Sequence, residues 1–335
     1  MTPASRAKPP AKNAPKATSR PKKAAPATTI ETIELASGGR PHPALGLGLW
    51  ALGRWGVEDE ARTKATIGRA YERGLRWFDT AEVYGNGRSE RVLGEVLSRV
   101  PGAAPDAYVV TKVSWEHLRP AQVRASLIGS LEKLARPSVD LYLVHAPDSR
   151  VALSETMGAL EALWKEGKAK AIGVSNFSVE ELEEAARHLS ETKIAVNQLR
   201  YNLLQRDDVE PVQEYCRSHG ILIEAYTPLA RGLLHGRYLD GQKVPRDVRQ
   251  FAHRMFEPDI LPEMLARGRA LRDLANEAGV PVASIALHWL GKMGAAPIVG
   301  ASRPEQVDSN LAAWAVRPSD RVLEQADRIA RGDRA

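Results

Sequence analysis

Short apolar runs alternate with amphipathic stretches along most of the chain. Eight of the runs are almost continuously apolar, which is typical of strands buried on both faces. Between them lie stretches with helical periodicity, such as 59–74 and 122–135, and several end in glycine, which favours a left-handed helix C-cap. The alternation predicts an α/β fold with eight strands, at 44–50, 76–81, 107–113, 139–146, 169–176, 194–201, 221–229 and 296–301.

Two α/β architectures compete for this pattern. Eight strands, each followed by a helix, match a (β/α)8 TIM barrel, and a doubly wound open sheet is the alternative. Most nucleotide-binding open sheets carry G-x-G-x-x-G after the first strand, but the first glycine-rich run here reads G-L-G-L-W-A-L-G. The sequence also lacks a G-x-x-x-x-G-K-[ST] phosphate loop. We therefore predict a barrel, forming one domain over residues 29–335.

Two segments depart from the repeating pattern. Residues 29–43 contain two short extended pieces around Gly38 and Gly39, which indicates a β-hairpin covering the bottom of the barrel. Residues 230–262 follow the seventh strand and are longer and less regular than the other connections. Because barrel active sites lie at the C-terminal ends of the strands, we expect a substrate loop there.

The N-terminal segment differs in composition from the rest. Residues 1–29 contain seven Lys or Arg and no acid, among Ala and Pro with little to bury. This composition predicts that residues 1–28 are a disordered, solvated extension; an arm contacting nucleic acid or an acidic surface is the alternative. Without those seven cations the formal charge of +6 becomes −1. The charge of the folded part therefore does not indicate nucleic-acid binding.

Composition narrows the class of protein further. The chain has 335 residues, 43% of them hydrophobic, and one cysteine, Cys216. A single cysteine excludes an internal disulfide and a cysteine-based metal cluster, and it favours a reducing compartment. No apolar run approaches the roughly 20 residues of a membrane helix. We expect a cytoplasmic protein without a metal or a membrane partner, as a monomer or small homo-oligomer.

Polar side chains occupy the C-terminal ends of three neighbouring predicted strands. Because side chains alternate between faces, Asp79, Lys112 and His145 each share a face with the bulky residue two positions earlier. This places all three at the top of the barrel, pointing inwards. Tyr84 lies in the glycine-rich loop after the second strand and can bend over the same opening.

The four groups are a coherent set for carbonyl reduction. A phenol with a pKa of about 10 donates its proton poorly at neutral pH, but a neighbouring ammonium lowers that pKa. In this set Lys112 would provide the ammonium, Asp79 would hold it, and His145 would orient a carbonyl oxygen. Taken alone, Asp79 and Lys112 fit a structural ion pair equally well, and His145 fits a core histidine. Their convergence at one rim favours a reactive site.

A series of motifs runs along the chain: FDTAEVYGNGRSE, VTK, LYLVHAPD, IGVSNF, VNQLRYNLL, AYTPLARGLLHGRY and IVGASRPEQVDSNLAA. In sequence and order these motifs resemble the aldo-keto reductases, which are NADP-dependent (β/α)8 enzymes. The resemblance runs from about Glu31 to Ala313 and implies a catalytic tetrad of Asp79, Tyr84, Lys112 and His145, with Tyr84 as general acid.

The resemblance also implies a cofactor site, carried over residue by residue. Ser175, Asn176 and Gln198 match positions that hold the nicotinamide carboxamide, and Tyr226 matches the aromatic residue that stacks on the nicotinamide ring. Asp79 is a further cofactor-binding position. The segment around the pyrophosphate is matched by Thr227, Pro228, Leu229, Arg231, Gly232 and Leu233. The adenosine and 2′-phosphate site is matched by Gly300, Ala301, Ser302, Arg303, Gln306 and Asn310. The cavity begins at Gly48 and Trp50, and its substrate walls are expected from Trp50, Tyr84, Trp115 and His145.

The choice of cofactor depends on two positions. Gly300 stands where many members of the family have a lysine that contacts the 2′-phosphate. Because Arg303 supplies a guanidinium, the resemblance favours NADP(H) and leaves the use of NAD(H) open. Standing alone, Arg303 and Gln306 also fit an exposed first helical turn capped by Ser302.

The function implied is NADP(H)-dependent reduction of an aldehyde or ketone to an alcohol. The partner expected is a small-molecule carbonyl substrate, with no nucleic acid. A cofactor-binding regulatory subunit of a partner protein is the alternative, because some barrel relatives bind NADP and modulate a partner.

Overall fold

A two-stranded antiparallel sheet precedes the main body of the molecule. The structure is a computed structural model that describes residues 27–50, 60–206, 209–236, 238–241 and 254–332. Strands β1 (Thr32–Ile33) and β2 (His42–Pro43) pair antiparallel, with Thr32 opposite Pro43. This confirms the predicted hairpin.

Eight parallel strands close into a barrel, with β10 pairing both β9 and β3. Seven lie within the predicted apolar runs, and β10 begins one residue before the run 296–301. The barrel is therefore confirmed and the open sheet is excluded. The strands are β3 (Gly46–Gly48), β4 (Trp77–Asp79), β5 (Tyr108–Val113), β6 (Val139–Val144), β7 (Ala169–Ser175), β8 (Ile194–Arg200), β9 (Leu222–Tyr226) and β10 (Ala295–Gly300).

Helices surround the barrel. The predicted stretches 59–74 and 122–135 correspond to α1 (Glu60–Glu72) and α4 (Pro120–Leu134). The remaining helices of the described residues are α2 (Arg88–Arg99), α3 (Ala103–Asp106), α5 (Leu153–Lys165), α6 (Val179–Arg187), α7 (Glu210–Ser218), α8 (Leu261–Glu277), α9 (Val282–Lys292), α10 (Pro304–Trp314) and α11 (Asp320–Arg331).

The barrel interior is a core distinct from the one between strands and helices. Trp77, Val110 and Leu143 belong to this interior core, as the alternation of side chains predicts. Leu35, from the hairpin, joins the same cluster. The hairpin therefore covers the end of the barrel opposite the C-terminal strand ends.

The predicted substrate loop is only partly described. It begins with a 3-10 helix, Ala230–His235, and a second one, Arg254–Phe256, precedes α8. Residues 242–253 lie outside the described residues, as do residues 1–26 of the predicted N-terminal extension. In the described part of the chain, no helix is long and apolar enough to cross a membrane, and no group of side chains is arranged to hold a metal ion.

Candidate active site

A cavity of about 600 Å³ opens at the C-terminal ends of the strands. Asp79, Tyr84 and His145 lie on its wall, as the sequence predicts. All the predicted cofactor positions also line it, except Leu233, which is fully buried away from the wall. These positions are Gly48, Trp50, Asp79, Ser175, Asn176, Gln198, Tyr226, Thr227, Pro228, Leu229, Arg231, Gly232, Gly300, Ala301, Ser302, Arg303, Gln306 and Asn310.

Asp79 and Lys112 form a buried ion pair at the base of the cavity. The Lys112 Nζ lies 2.8 and 2.7 Å from the two Asp79 carboxylate oxygens and donates a further hydrogen bond to the Thr80 carbonyl oxygen at 2.8 Å. Burial is the largest single effect on the pKa of Lys112 and lowers it, but the charge and hydrogen bond of Asp79, together with the charges of Tyr84 and Glu224, outweigh burial and the net pKa is raised. Lys112 is therefore an ammonium that three oxygens hold in place.

Tyr84 lies next to this ammonium. Its hydroxyl oxygen is 3.5 Å from the Lys112 Nζ, and the Nζ is 5.1 Å from the centre of the phenol ring. Desolvation raises the pKa of Tyr84 to about 12, although Lys112 acts in the opposite direction. The expected lowering of this pKa by the ammonium is thus outweighed by burial. At neutral pH the hydroxyl keeps its proton and is available as a donor.

His145 is the second group beside the Tyr84 hydroxyl. The two rings meet edge-to-face, with centroids 5.6 Å apart. Burial, with a smaller contribution from Lys112, lowers the pKa of His145 to about 3, so the imidazole is neutral. Its buried Nδ1 has no hydrogen-bond partner among the described residues. Trp115, predicted as a pocket wall, lies 5.7 Å from the His145 ring but is 42% exposed and does not line the cavity.

Hydrogen bonds among five polar residues form the next section of the wall. The Ser175 hydroxyl donates to the Gln198 backbone oxygen at 2.8 Å, and the Asn176 amide donates to the His145 backbone oxygen at 3.0 Å. The Tyr226 hydroxyl donates to the Asn176 side-chain oxygen at 2.9 Å. Asn176 adopts a left-handed φ of 63°, which asparagine tolerates better than most residues. This network fixes the side chains expected to hold a carboxamide.

The segment after β9 has an unusual backbone. Thr227, Ala230 and Arg231 all have positive φ angles, of 57°, 46° and 51°, and Gly232 follows at 107°. Residues with positive φ cost conformational energy, and such strain concentrates at ligand-binding sites. The Arg231 guanidinium also lies 4.6 Å from the centre of the Trp50 ring, which fixes its position at the cavity.

The far end of the cavity lies at the start of α10. Arg303 is the N-cap residue, without a side-chain cap, so Ser302 is not the cap. Instead the Ser302 backbone N–H and hydroxyl donate to the Gln306 side-chain oxygen, at 2.7 and 3.0 Å. Asn310 donates to the Gly300 carbonyl oxygen at 3.1 Å. Arg303 is about half exposed and 3.7 Å from Glu305, so its charge faces solvent at the cavity rim.

Sequence reasoning missed several residues of the cavity wall. Arg62 and Thr63 come from α1, and His235 comes from the 3-10 helix after β9. Arg62 and Thr63 lie outside the quoted motifs, whereas His235 lies within AYTPLARGLLHGRY, two residues after the last position carried over from it, Leu233. With Arg231 and Arg303, Arg62 gives the described wall three guanidinium groups, whereas Asp79 is its one carboxylate and is already paired. The cavity therefore favours an anionic ligand.

Comparison with known proteins agrees with this geometry. The chain is 30% identical over 306 residues to the aldo-keto reductase YhdN of Bacillus subtilis, covering 87% of this chain and 91% of that protein. A glycerol dehydrogenase from Gluconobacter oxydans superposes with a TM-score of 0.80 at 29% identity, covering 89% of this chain and 94% of that one. An aldo/keto reductase from Klebsiella pneumoniae in complex with NADP and acetate superposes at 0.73 and 27% identity, covering 90% and 96%.

The chain also matches a sequence model of a whole protein family. The family model described as the aldo/keto reductase family matches residues 44–331, a range that contains all eight barrel strands and the wall of the cavity. Barrel, cavity and sequence agree, and the chain belongs to the aldo/keto reductase family of oxidoreductases.

Proposed function

We propose that the protein reduces an aldehyde or ketone to an alcohol with NADP(H), and that Tyr84 is the general acid. The observation that carries the proposal is the placement of the Tyr84 hydroxyl. It is 3.5 Å from the Lys112 ammonium, beside a neutral His145, on the wall of the cavity. A phenol that is protonated at neutral pH and has a fixed cation behind it is suited to proton donation.

The residues of the cavity fit a dinucleotide cofactor. The volume of the cavity lies in the range of about 300–1,000 Å³ found for small-molecule sites. Three guanidinium groups suit the phosphates, and the Tyr226 side chain offers an aromatic surface near the catalytic groups. NADP(H) is favoured because Arg303 stands at the rim beside the start of α10, and NAD(H) is a second cofactor to test.

The residues divide the work of the reaction between them. When bound, the nicotinamide supplies the hydride that reduces the carbonyl carbon. Tyr84 donates its hydroxyl proton to the carbonyl oxygen as negative charge develops there. Lys112 stabilises the phenolate that remains, and Asp79 keeps the ammonium in place. His145, being neutral, donates an N–H to the carbonyl oxygen and orients it.

The test is turnover by the purified protein. We expect the protein to oxidise NADPH in the presence of an activated aromatic aldehyde such as nitrobenzaldehyde. The oxidation is monitored as the loss of NADPH absorbance. Tight binding of NADPH with no turnover across a broad panel of aldehydes and ketones would contradict the proposal and favour a regulatory subunit.

A further inference from the structure

A chain of buried hydrogen bonds continues from the tetrad towards the bottom of the barrel. The Gln198 side-chain nitrogen donates to Asp79 Oδ2 at 2.8 Å and to Glu224 Oε2 at 2.6 Å. The other Glu224 oxygen lies 2.8 Å from His42 Nε2, and His42 Nδ1 lies 2.8 Å from the Pro43 carbonyl oxygen. His42 and Glu224 are 0% exposed, and Asp79 and Gln198 are 3% exposed. We call His42, Glu224 and Gln198 the buried relay.

The contacts of His42 fix its protons. A carbonyl oxygen only accepts hydrogen bonds, so Nδ1 carries a proton that it donates to Pro43. The contact with Glu224 therefore contains one further proton, shared between Nε2 and the carboxyl oxygen. The Trp77 and Tyr108 rings pack edge-to-face on the imidazole, at 4.3 and 4.9 Å between centroids. His42 is thus held in one orientation by two hydrogen bonds and two aromatic rings.

The contacts of Gln198 fix its amide. Its two partners are carboxyl oxygens from different strands, and one side-chain nitrogen supplies both hydrogen bonds. Turning the amide over would place its oxygen against both carboxyl groups and leave Glu224 Oε2 without the donor that it has in Gln198, whereas Asp79 Oδ2 would keep Lys112. Gln198 also lines the cavity, and none of the described residues donates a hydrogen bond to its side-chain oxygen. The oxygen is therefore the polar atom that Gln198 offers to a ligand.

We propose that His42 and Glu224 are positioning residues of the reductase. They hold the Gln198 amide so that its oxygen accepts an N–H from the carboxamide of the nicotinamide. The inference rests on the proposed function, because it requires a nicotinamide cofactor. Neither residue lines the cavity, so both act through Gln198. Neither lies in a motif that suggests catalysis.

Two variants distinguish a positioning role of the buried relay from a role in core packing alone. Glu224→Gln keeps every contact, because the new amide can donate to His42 Nε2 and accept from Gln198. The double variant His42→Leu with Glu224→Met fills similar volume with apolar groups, so that neither member of the His42–Glu224 pair is left buried without the other. It removes the carboxyl oxygen to which the Gln198 amide donates. Each is measured for melting temperature, for turnover and for the affinity of NADPH. The affinity of adenosine 2′,5′-bisphosphate, which lacks the nicotinamide, is the matched control.

If the buried relay positions Gln198, its removal should weaken the binding of NADPH and leave the binding of adenosine 2′,5′-bisphosphate unchanged. Glu224→Gln should bind both ligands like the wild type. The double variant should bind NADPH about three- to tenfold more weakly, the effect of about one hydrogen bond, and bind adenosine 2′,5′-bisphosphate unchanged. Should the double variant fail to fold, His42→Leu in the Glu224→Gln background provides the second comparison, because an unpaired neutral amide costs less in the core than an unpaired carboxylate.

Two results would overturn the inference. One is wild-type affinity for NADPH in the folded double variant, and the other is an equal loss for both ligands, which would indicate a purely structural role. Failure of the proposed function itself is distinguishable, because it appears in the wild-type protein before any substitution is made. The wild type would then either bind no NADPH or bind NADPH without turning over any carbonyl substrate.

Discussion

At the scale of single residues, burial determines the protonation states of Tyr84 and His145. Desolvation raises the pKa of Tyr84 and lowers that of His145, and both shifts favour the neutral side chain. Lys112 keeps its charge because Asp79 lies within hydrogen-bond distance. The site therefore contains one fixed cation and two neutral groups able to donate a proton or hydrogen bond.

These protonation states predict a flat pH profile. His145 is neutral above a pKa of about 3, so its active form is lost only as the pH falls towards that value. Tyr84 carries its proton below a pKa of about 12, so donation is lost only as the pH rises towards that value. We expect kcat/KM for aldehyde reduction to vary little between about pH 5 and pH 9. A change in kcat/KM centred near pH 6.5 would contradict a neutral His145.

The guanidinium of Arg303 should discriminate between the two cofactors. Arg303→Ala is expected to weaken NADPH binding more than NADH binding, because the 2′-phosphate is the charge by which they differ. Since the side chain is about half exposed, we expect the lower end of the range for a charge-assisted hydrogen bond, about tenfold. Arg317→Ala, an exposed arginine outside the cavity wall, is the control. Equal weakening of both cofactors would place the phosphate elsewhere.

At the scale of elements, close packing between neighbouring strands explains why β3 has a glycine at position 46. A Cβ built on Gly46 would lie 2.2 Å from Trp77 Cδ2, on the neighbouring strand β4. Trp77 is fully buried inside the barrel, so the ring has little room to move. The small residue allows β3 to approach β4 over a bulky interior side chain.

Gly46→Ala should therefore destabilise the protein. Overpacking of a core costs about 1–3 kcal/mol, which predicts a lower melting temperature. Gly68→Ala is the matched control, because Gly68 lies in α1 with nothing within 4 Å of its Cβ position. That substitution should be neutral or stabilising by about 0.5–1 kcal/mol. A Gly46→Ala variant as stable as Gly68→Ala would contradict the proposed packing of β3.

At the scale of the whole molecule, the sequence predicts the barrel and the tetrad because both follow from local patterns. Apolar runs locate the strands, and the alternation of side chains places Asp79 and Lys112 inside the opening. The buried relay could not be predicted, because His42 and Glu224 are 182 positions apart and meet only when the hairpin covers the barrel. The pKa of Tyr84 likewise depends on how completely the folded chain removes water.

The described residues include the end of the predicted N-terminal extension, residues 27 and 28. The Thr28 backbone N–H donates to the Arg73 carbonyl oxygen at 2.8 Å, and a Cβ on Gly74 would lie 2.3 Å from the Thr28 oxygen. Thr28 is therefore docked. We expect deletion of residues 1–26 to leave the melting temperature and turnover unchanged, whereas deletion of residues 1–28 should lower the melting temperature slightly. A large loss on removing 1–26 would contradict the interpretation of that segment as a solvated extension.

The most direct test of Tyr84 as the proton donor is the turnover of Tyr84→Phe, measured beside the wild type with saturating NADPH and an aromatic aldehyde. The substitution removes the hydroxyl next to Lys112 and keeps the ring against His145. General acid catalysis contributes about 10²–10⁴-fold, so turnover should fall by that factor while NADPH affinity stays within a few-fold of the wild type. A variant that keeps more than about a tenth of the wild-type rate would show that Tyr84 is not the acid.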